Sequence, residues 1–169
     1  SFHVTGVQTC ALPIYDLARS FEVTQHAQQT VFAALADQDV DLRGIVLKPS
    51  MVISGADAAD RAGIKEVAQE TLRCLLSTVP AAVPGIAFLS GGQSDEEATQ
   101  HLNAMNEIGG SLPWAVTFSY GRALQAAAMK RWAGHSENVE SARQVAFHRA
   151  QMNGAAALGQ YSPEMEKAA

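Results

Sequence analysis

The feature that most limits how this chain can fold is a regular alternation of short apolar runs with long helical stretches. Gly44-Ile45-Val46-Leu47-Lys48, Gly85 to Ser90 and Trp114 to Ser119 are nearly continuous apolar runs carrying β-branched or aromatic residues, the pattern of strands buried on both faces. The segments between them are far too long for hairpins, so each strand returns by a crossover and runs parallel to the one before.

Helical periodicity fills those segments. Leu17, Phe21, Thr24, Val31 and Leu35 share one face of a helix expected from Asp16 to near Asp37. Ile64, Val67, Ala68, Thr71, Leu72, Leu75, Leu76 and Val79 follow the helical template until Pro80 stops it. Ser94, three residues before Glu97, forms a capping box for a helix through about Ile108. Tyr120-Gly121-Arg122 opens another helix to about Trp132, and after Gly134 a last one runs from about Glu137 to Asn153. Two architectures accommodate this order: an open doubly wound sheet, and a segment of an eight-stranded β/α barrel. No G-x-G-x-x-G follows a strand, so the doubly wound dinucleotide fold lacks its fingerprint.

Composition narrows the function. At 169 residues the chain fits one domain, and 47% hydrophobic against 17% charged residues is enough apolar material for a packed core. A net charge of -5 repels phosphate backbones and anionic bilayers, so neither nucleic acid nor a membrane is an expected partner. An anionic ligand would have to be held by local amides and single cations. Two cysteines, Cys10 and Cys74, and five scattered histidines, His3, His26, His101, His135 and His148, offer no metal-ligand spacing; no metal or other cofactor is expected. No apolar run approaches the ~18 residues of a membrane span, and the first basic residue is Arg19, so the reading is cytoplasmic.

The chemistry lies where the apolar runs end. All three close on a polar or charged residue, Lys48, Ser90 or Ser119, at the edge where β/α proteins place their sites. Pro49 biases Lys48 to extended geometry, so its side chain should project from the strand end. In an apolar, crowded setting desolvation lowers a lysine pKa from about 10.4 and supplies the neutral amine that attacks a carbonyl. The other reading on these grounds is a strand-end lysine that snorkels to solvent or pairs with a carboxylate. Ser90-Gly91-Gly92 and Ser119-Tyr120-Gly121-Arg122 form a second constellation. Glycines admit close backbone approach, opening helices present their amides, and Arg122 adds a forked charge, a set suited to phosphate. The same glycines equally serve tight strand-to-helix turns.

Taken with their flanks, these motifs form a recognisable set. Leu47-Lys48-Pro49-Ser50-Met51-Val52, Gly85 through Ser94, and Trp114 through Gln125 resemble the class I fructose-bisphosphate aldolases in order and spacing, and the resemblance runs from about Asp16 to Tyr161. It implies an α/β fold, the last three strands and helices of a (β/α)8 TIM barrel, spanning residues 16–158. It also implies that Lys48 forms the Schiff base with dihydroxyacetone phosphate. Ser90, Gly91, Gly92, Ser119 and Arg122, with Gly121 beside them, would bind a substrate phosphate. The implied activity is reversible cleavage of fructose 1,6-bisphosphate to dihydroxyacetone phosphate and glyceraldehyde 3-phosphate, by a homotetramer. Another Schiff-base phosphosugar lyase or transaldolase-type barrel, or a non-catalytic fragment with binding roles only, stays open beside it.

The chain departs from that family in several places. Arg43 stands where the family usually has an acidic residue, and Ser50 where many members have Asn. The family's remaining catalytic groups, an aspartate, two lysines and a Glu-Pro-Glu, belong to earlier strands and have no counterpart here, so the chain is expected to be a C-terminal fragment inactive alone. Many animal members end in tyrosine, whereas this chain ends Glu166-Lys167-Ala168-Ala169 and Tyr161 is internal. Residues 1–15 read as a foreign or disordered segment: Ser1 to Ile14 lack periodicity and resemble translated sequencing-adapter read-through. Residues 159–169 read as a flexible tail.

Overall fold

A computed structural model describes residues 14–168 of the chain, and the reading of the first segment as foreign falls almost wholly outside them. Helix α1 spans Leu17–Asp37, with Asp16 accepting from the Arg19 amide as its cap. Strand β1 (Val46–Leu47) leads through a long loop to α2 (Ile64–Thr78), then β2 (Gly85–Phe88), α3 (Asp95–Ile108), β3 (Ala115–Phe118), α4 (Arg122–Trp132) and α5 (Val139–Ala156). The capping box expected at Ser94 and Glu97 forms with both of its hydrogen bonds, and three acidic residues fill the first turn of α3. Helix α5 begins two residues later than expected because a 3-10 turn at Ser136–Asn138 precedes it.

The strands form one parallel sheet in the order β1-β2-β3. Val46 pairs with Gly85 and Gly85 with Ala115; at the other end Phe88 pairs with Phe118. Sequential order without a reversal means that successive right-handed crossovers all fall on one face of the sheet. That is the winding of a barrel segment, and also that of one half of a doubly wound sheet before its switch point.

Burial along the strands shows the one-sidedness directly. Ile86 and Phe88 are fully buried and Val116 nearly so, packed with Val67, Leu75, Leu102 and Met105 from α2 and α3. Residues of the opposite parity, Gly85, Ala87 and Thr117, are only half-buried, Ala115 is exposed and Val46 is 63% exposed. The strands are therefore not buried on both faces, as their apolar sequence suggests. One face carries the helices, and the other has no covering element among the described residues. Strand β1 is also shorter than the run Gly44–Lys48, because a 3-10 turn takes Leu42–Gly44 and, among the described residues, β1 has a single neighbour to extend it.

Outside the sheet, Trp114 donates its indole N–H to the Pro80 carbonyl at 3.1 Å, closing the end of α2 against the start of β3. The segment from Gly159, expected to be flexible, carries a 3-10 helix at Pro163–Ala168. Its Glu166 accepts from His148 at 2.9 Å, Arg149 at 2.5 Å and the Tyr161 hydroxyl at 3.0 Å. Arg149 is itself buried and also donates to Thr99 on α3.

Candidate active site

Parallel strands that leave one sheet edge together bring their following loops together. The Leu89 amide donates to the Pro49 carbonyl at 3.0 Å, and the Ser119 amide to the Phe88 carbonyl at 2.8 Å. The three polar strand ends thus lie side by side at the C-terminal edge of the sheet.

Lys48 is exposed. Leu47 packs into the core, so alternation gives Lys48 the parity of Val46 and places it on the open face of the sheet. The apolar, crowded surroundings expected for it are absent among the described residues, because β1 is an edge strand. The loop that follows is rigidly held from below. Met51 and Val52 are buried, the Val52 amide donates to the Thr71 hydroxyl at 3.0 Å, and the Ile53 amide donates to that of Ser20 at 3.3 Å.

The loop after β2 is a tight turn. Gly91 and Gly92 sit at φ +58° and +98°, and the Gln93 amide closes the turn onto the Ser90 carbonyl at 3.0 Å. Two successive positive φ values favour glycine at both positions, so the turn by itself accounts for this pair. Ser90 is buried beneath it. The turn nonetheless exposes what an anion uses: among the described residues the amides of Gly91 and Gly92 donate to no protein acceptor.

The helices after β2 and β3 differ at their starts. In α3 the Glu97 amide is already taken by Ser94, and Asp95, Glu96 and Glu97 crowd the first turn with negative charge, so this terminus is closed to an anion. The amides of that helix are not the donors the sequence suggests. In α4 no side chain caps Gly121, no acidic residue occupies the first turn, and exposed Arg122 stands at the first helical position. That terminus is open to an anion. Ser119 is half-buried beside it, while Tyr120 is buried and donates its hydroxyl to the Ala98 carbonyl at 2.8 Å, tying α4 to α3. Burial pushes the Tyr120 phenol well above its ordinary pKa, so it acts here as a neutral strut.

Several residues that hold this edge were not legible in the sequence. Thr71 reads in the sequence as part of an apolar helical face, and Ser20 lies outside the pattern of its helix. His101 is 1% exposed, and its Nδ1 meets the Gln93 side-chain oxygen at 2.6 Å. Burial holds its imidazole down near 4, so the ring is neutral, and facing an amide oxygen Nδ1 must carry the proton. A single histidine in a helix carries no sequence signal for such a contact. Cys74 is free and buried, its thiol pushed up to about 11 by burial, and it takes no part. Among the described residues no group of three or more His, Cys, Asp or Glu could hold a metal ion, and no helix is long and apolar enough to cross a membrane.

The protein-family model described as "Fructose-bisphosphate aldolase class-I" matches residues 13–169. The chain belongs to the class I fructose-bisphosphate aldolases. It is 51% identical over 148 residues to the probable fructose-bisphosphate aldolase class 1 of Xanthomonas axonopodis pv. citri, covering 87% of this chain and 44% of that protein. It is 48% identical over 150 residues to fructose-bisphosphate aldolase 2 of Caenorhabditis elegans, covering 89% of this chain and 41% of that one. Among solved structures, the Plasmodium falciparum fructose-bisphosphate aldolase superposes with a TM-score of 0.86 at 44% identity, over 90% of this chain and 44% of that one. The chain therefore spans less than half the length of these aldolases. Its three strands and one-sided helices correspond to part of the aldolase fold.

Proposed function

We propose that this chain is the C-terminal part of a Schiff-base fructose-bisphosphate aldolase, reversibly cleaving fructose 1,6-bisphosphate to dihydroxyacetone phosphate and glyceraldehyde 3-phosphate. The observation that carries the reading is a juxtaposition. An exposed lysine follows β1 on the open sheet face, in line with a turn whose two amides are unused among the described residues and with a helix start bearing Arg122.

In this reading the neutral Lys48 amine adds to the C2 ketone, and loss of water gives an iminium. Removal of the C4 hydroxyl proton breaks the bond between C3 and C4, releasing glyceraldehyde 3-phosphate. The bonding pair moves to the nitrogen, leaving an enamine. Protonation at C3 and hydrolysis then return dihydroxyacetone phosphate and free Lys48. The protein's contribution from this chain is position: the Ser90-Gly91-Gly92 turn, Ser119, Gly121 and Arg122 hold a phosphate so that the ketone meets the amine. The proton transfers require carboxylates and a lysine that the family resemblance puts on earlier strands. The complete enzyme is read as a cytoplasmic homotetramer; a relative from Arabidopsis thaliana is named as cytosolic.

The test is covalent trapping in the complete protein. With Lys48→Met, borohydride should no longer fix dihydroxyacetone phosphate to the enzyme, and cleavage should vanish. Lys48→Arg should fail equally, since a guanidinium does not give up its proton near neutral pH. Trapping that survives either change would assign the nucleophile to another lysine. A wild-type protein trapped by a different phosphosugar but not by dihydroxyacetone phosphate would replace the aldolase reading with another Schiff-base lyase.

A further inference from the structure

Gln93 is the residue at which the two loops of the proposed site meet. Its backbone amide closes the Ser90-Gly91-Gly92 turn. Its side-chain NH2 donates to the sulfur of Met51 at 3.6 Å, three residues beyond Lys48, and its side-chain oxygen accepts from His101 Nδ1 at 2.6 Å. This is the one orientation of the amide in which both contacts pair a donor with an acceptor. Met51 is 2% exposed and His101 1%, so both ends of the bridge are fixed in the core while Gln93 lies at its rim.

What His101 contributes is specific to that bond. Its other ring nitrogen, Nε2, is buried with no hydrogen-bond partner among the described residues. An unpaired buried polar atom is unfavourable, and a leucine would fill similar space without it. The histidine therefore adds one thing that packing does not: an N–H aimed at the Gln93 oxygen from the rigid body of α3.

We propose that His101 is a positioning residue for substrate phosphate: through Gln93 it fixes the Gly91–Gly92 turn against the loop that carries Lys48. This rests on the aldolase reading above. His101 touches no substrate; it sets where the two free amides point relative to the nucleophile. Losing it lets the turn drift, which weakens phosphate capture while leaving the amine chemistry in place.

The experiment uses the complete aldolase that contains this chain, assayed with fructose 1,6-bisphosphate. With His101→Leu, KM should rise about tenfold, the scale of one buried hydrogen bond, while kcat stays within about threefold and borohydride trapping at Lys48 persists. His101→Asn, which keeps a side-chain N–H, should recover most of the loss. Gln93→Met should reproduce the effect, and the double variant should be no worse than either single one. An unchanged KM in His101→Leu overturns the proposal. So does a loss that Asn does not rescue or that adds to Gln93→Met, since either marks generalised damage to the core. If His101→Leu fails to fold, Gln93→Met at the rim of the core reads the same bridge, and an unchanged KM there overturns it too. A wild-type enzyme with no trapping at Lys48 overturns the aldolase reading itself, and this inference with it.

Discussion

The two faces of the sheet are built from the same three strands and have opposite fates. On one face Ile86, Phe88 and Val116 are sealed beneath α2 and α3. On the other, Gly85, Ala87, Ala115 and Thr117 are small or polar, Val46 is 63% exposed, and Lys48 stands at the end of the row. The covered face holds the fold together through apolar burial. The open face has little side-chain volume of its own, and its single charged member among the described residues is the proposed nucleophile. Stability and chemistry have thus been divided between alternate residues of each strand, so that a substitution's effect depends on its parity as much as on its type.

The largest test of that division is Phe88→Ala. Deleting a fully buried aromatic ring from the covered face should cost about 3 to 5 kcal/mol, read as a shift in the denaturant midpoint. A cost below about 1 kcal/mol would mean that the covered face is not the core.

Arg122→Ala sharpens the comparison from the site's side. Removing this exposed cation should weaken binding of fructose 1,6-bisphosphate to the complete protein by about 1.5 to 3 kcal/mol, with the unphosphorylated sugar far less affected and the melting temperature unchanged. Equal weakening of both sugars would give Arg122 a structural role.

A smaller effect is expected at Glu166, on the helical side. Burial works to raise its carboxyl pKa, but the hydrogen bonds from Arg149 and His148 outweigh it and hold the group below its ordinary range. A depressed folded pKa means that this contribution is complete above the unfolded value of about 4.3 and is lost as pH falls through the folded one. Acid should therefore loosen the segment after Gly159, seen as faster amide exchange there. Glu166→Gln should loosen it at neutral pH by about 1 to 3 kcal/mol, because buried Arg149 then loses its charged partner. Exchange in that segment with no pH dependence would show that the contact does not hold it.

The smallest effect belongs to Val46→Ala on the open face. In the 169-residue chain it should change stability by less than about 0.5 kcal/mol, as an exposed substitution does. In the complete protein the same change should cost about 1.5 kcal/mol, two methyl groups of burial, if the rest of a barrel covers that face. Equal small costs in both would leave the face open in the complete protein as well.

Local chemistry alone determined much of this molecule. The periodicity of Ile64 to Val79, the Ser94–Glu97 box and the Pro80 stop each act within a few residues, so they could be read without a fold. The strand-end motifs were legible for the same reason: a lysine before a proline and a glycine pair before a helix specify backbone geometry on the spot. Tertiary structure alone decided two things. It left one strand face bare among the described residues, which an apolar run cannot reveal because burial depends on neighbours outside the strand. And it brought His101 on α3 to Gln93 and Met51, because a hydrogen bond between a helix and two loops depends on distances in space that residue spacing along the chain does not encode.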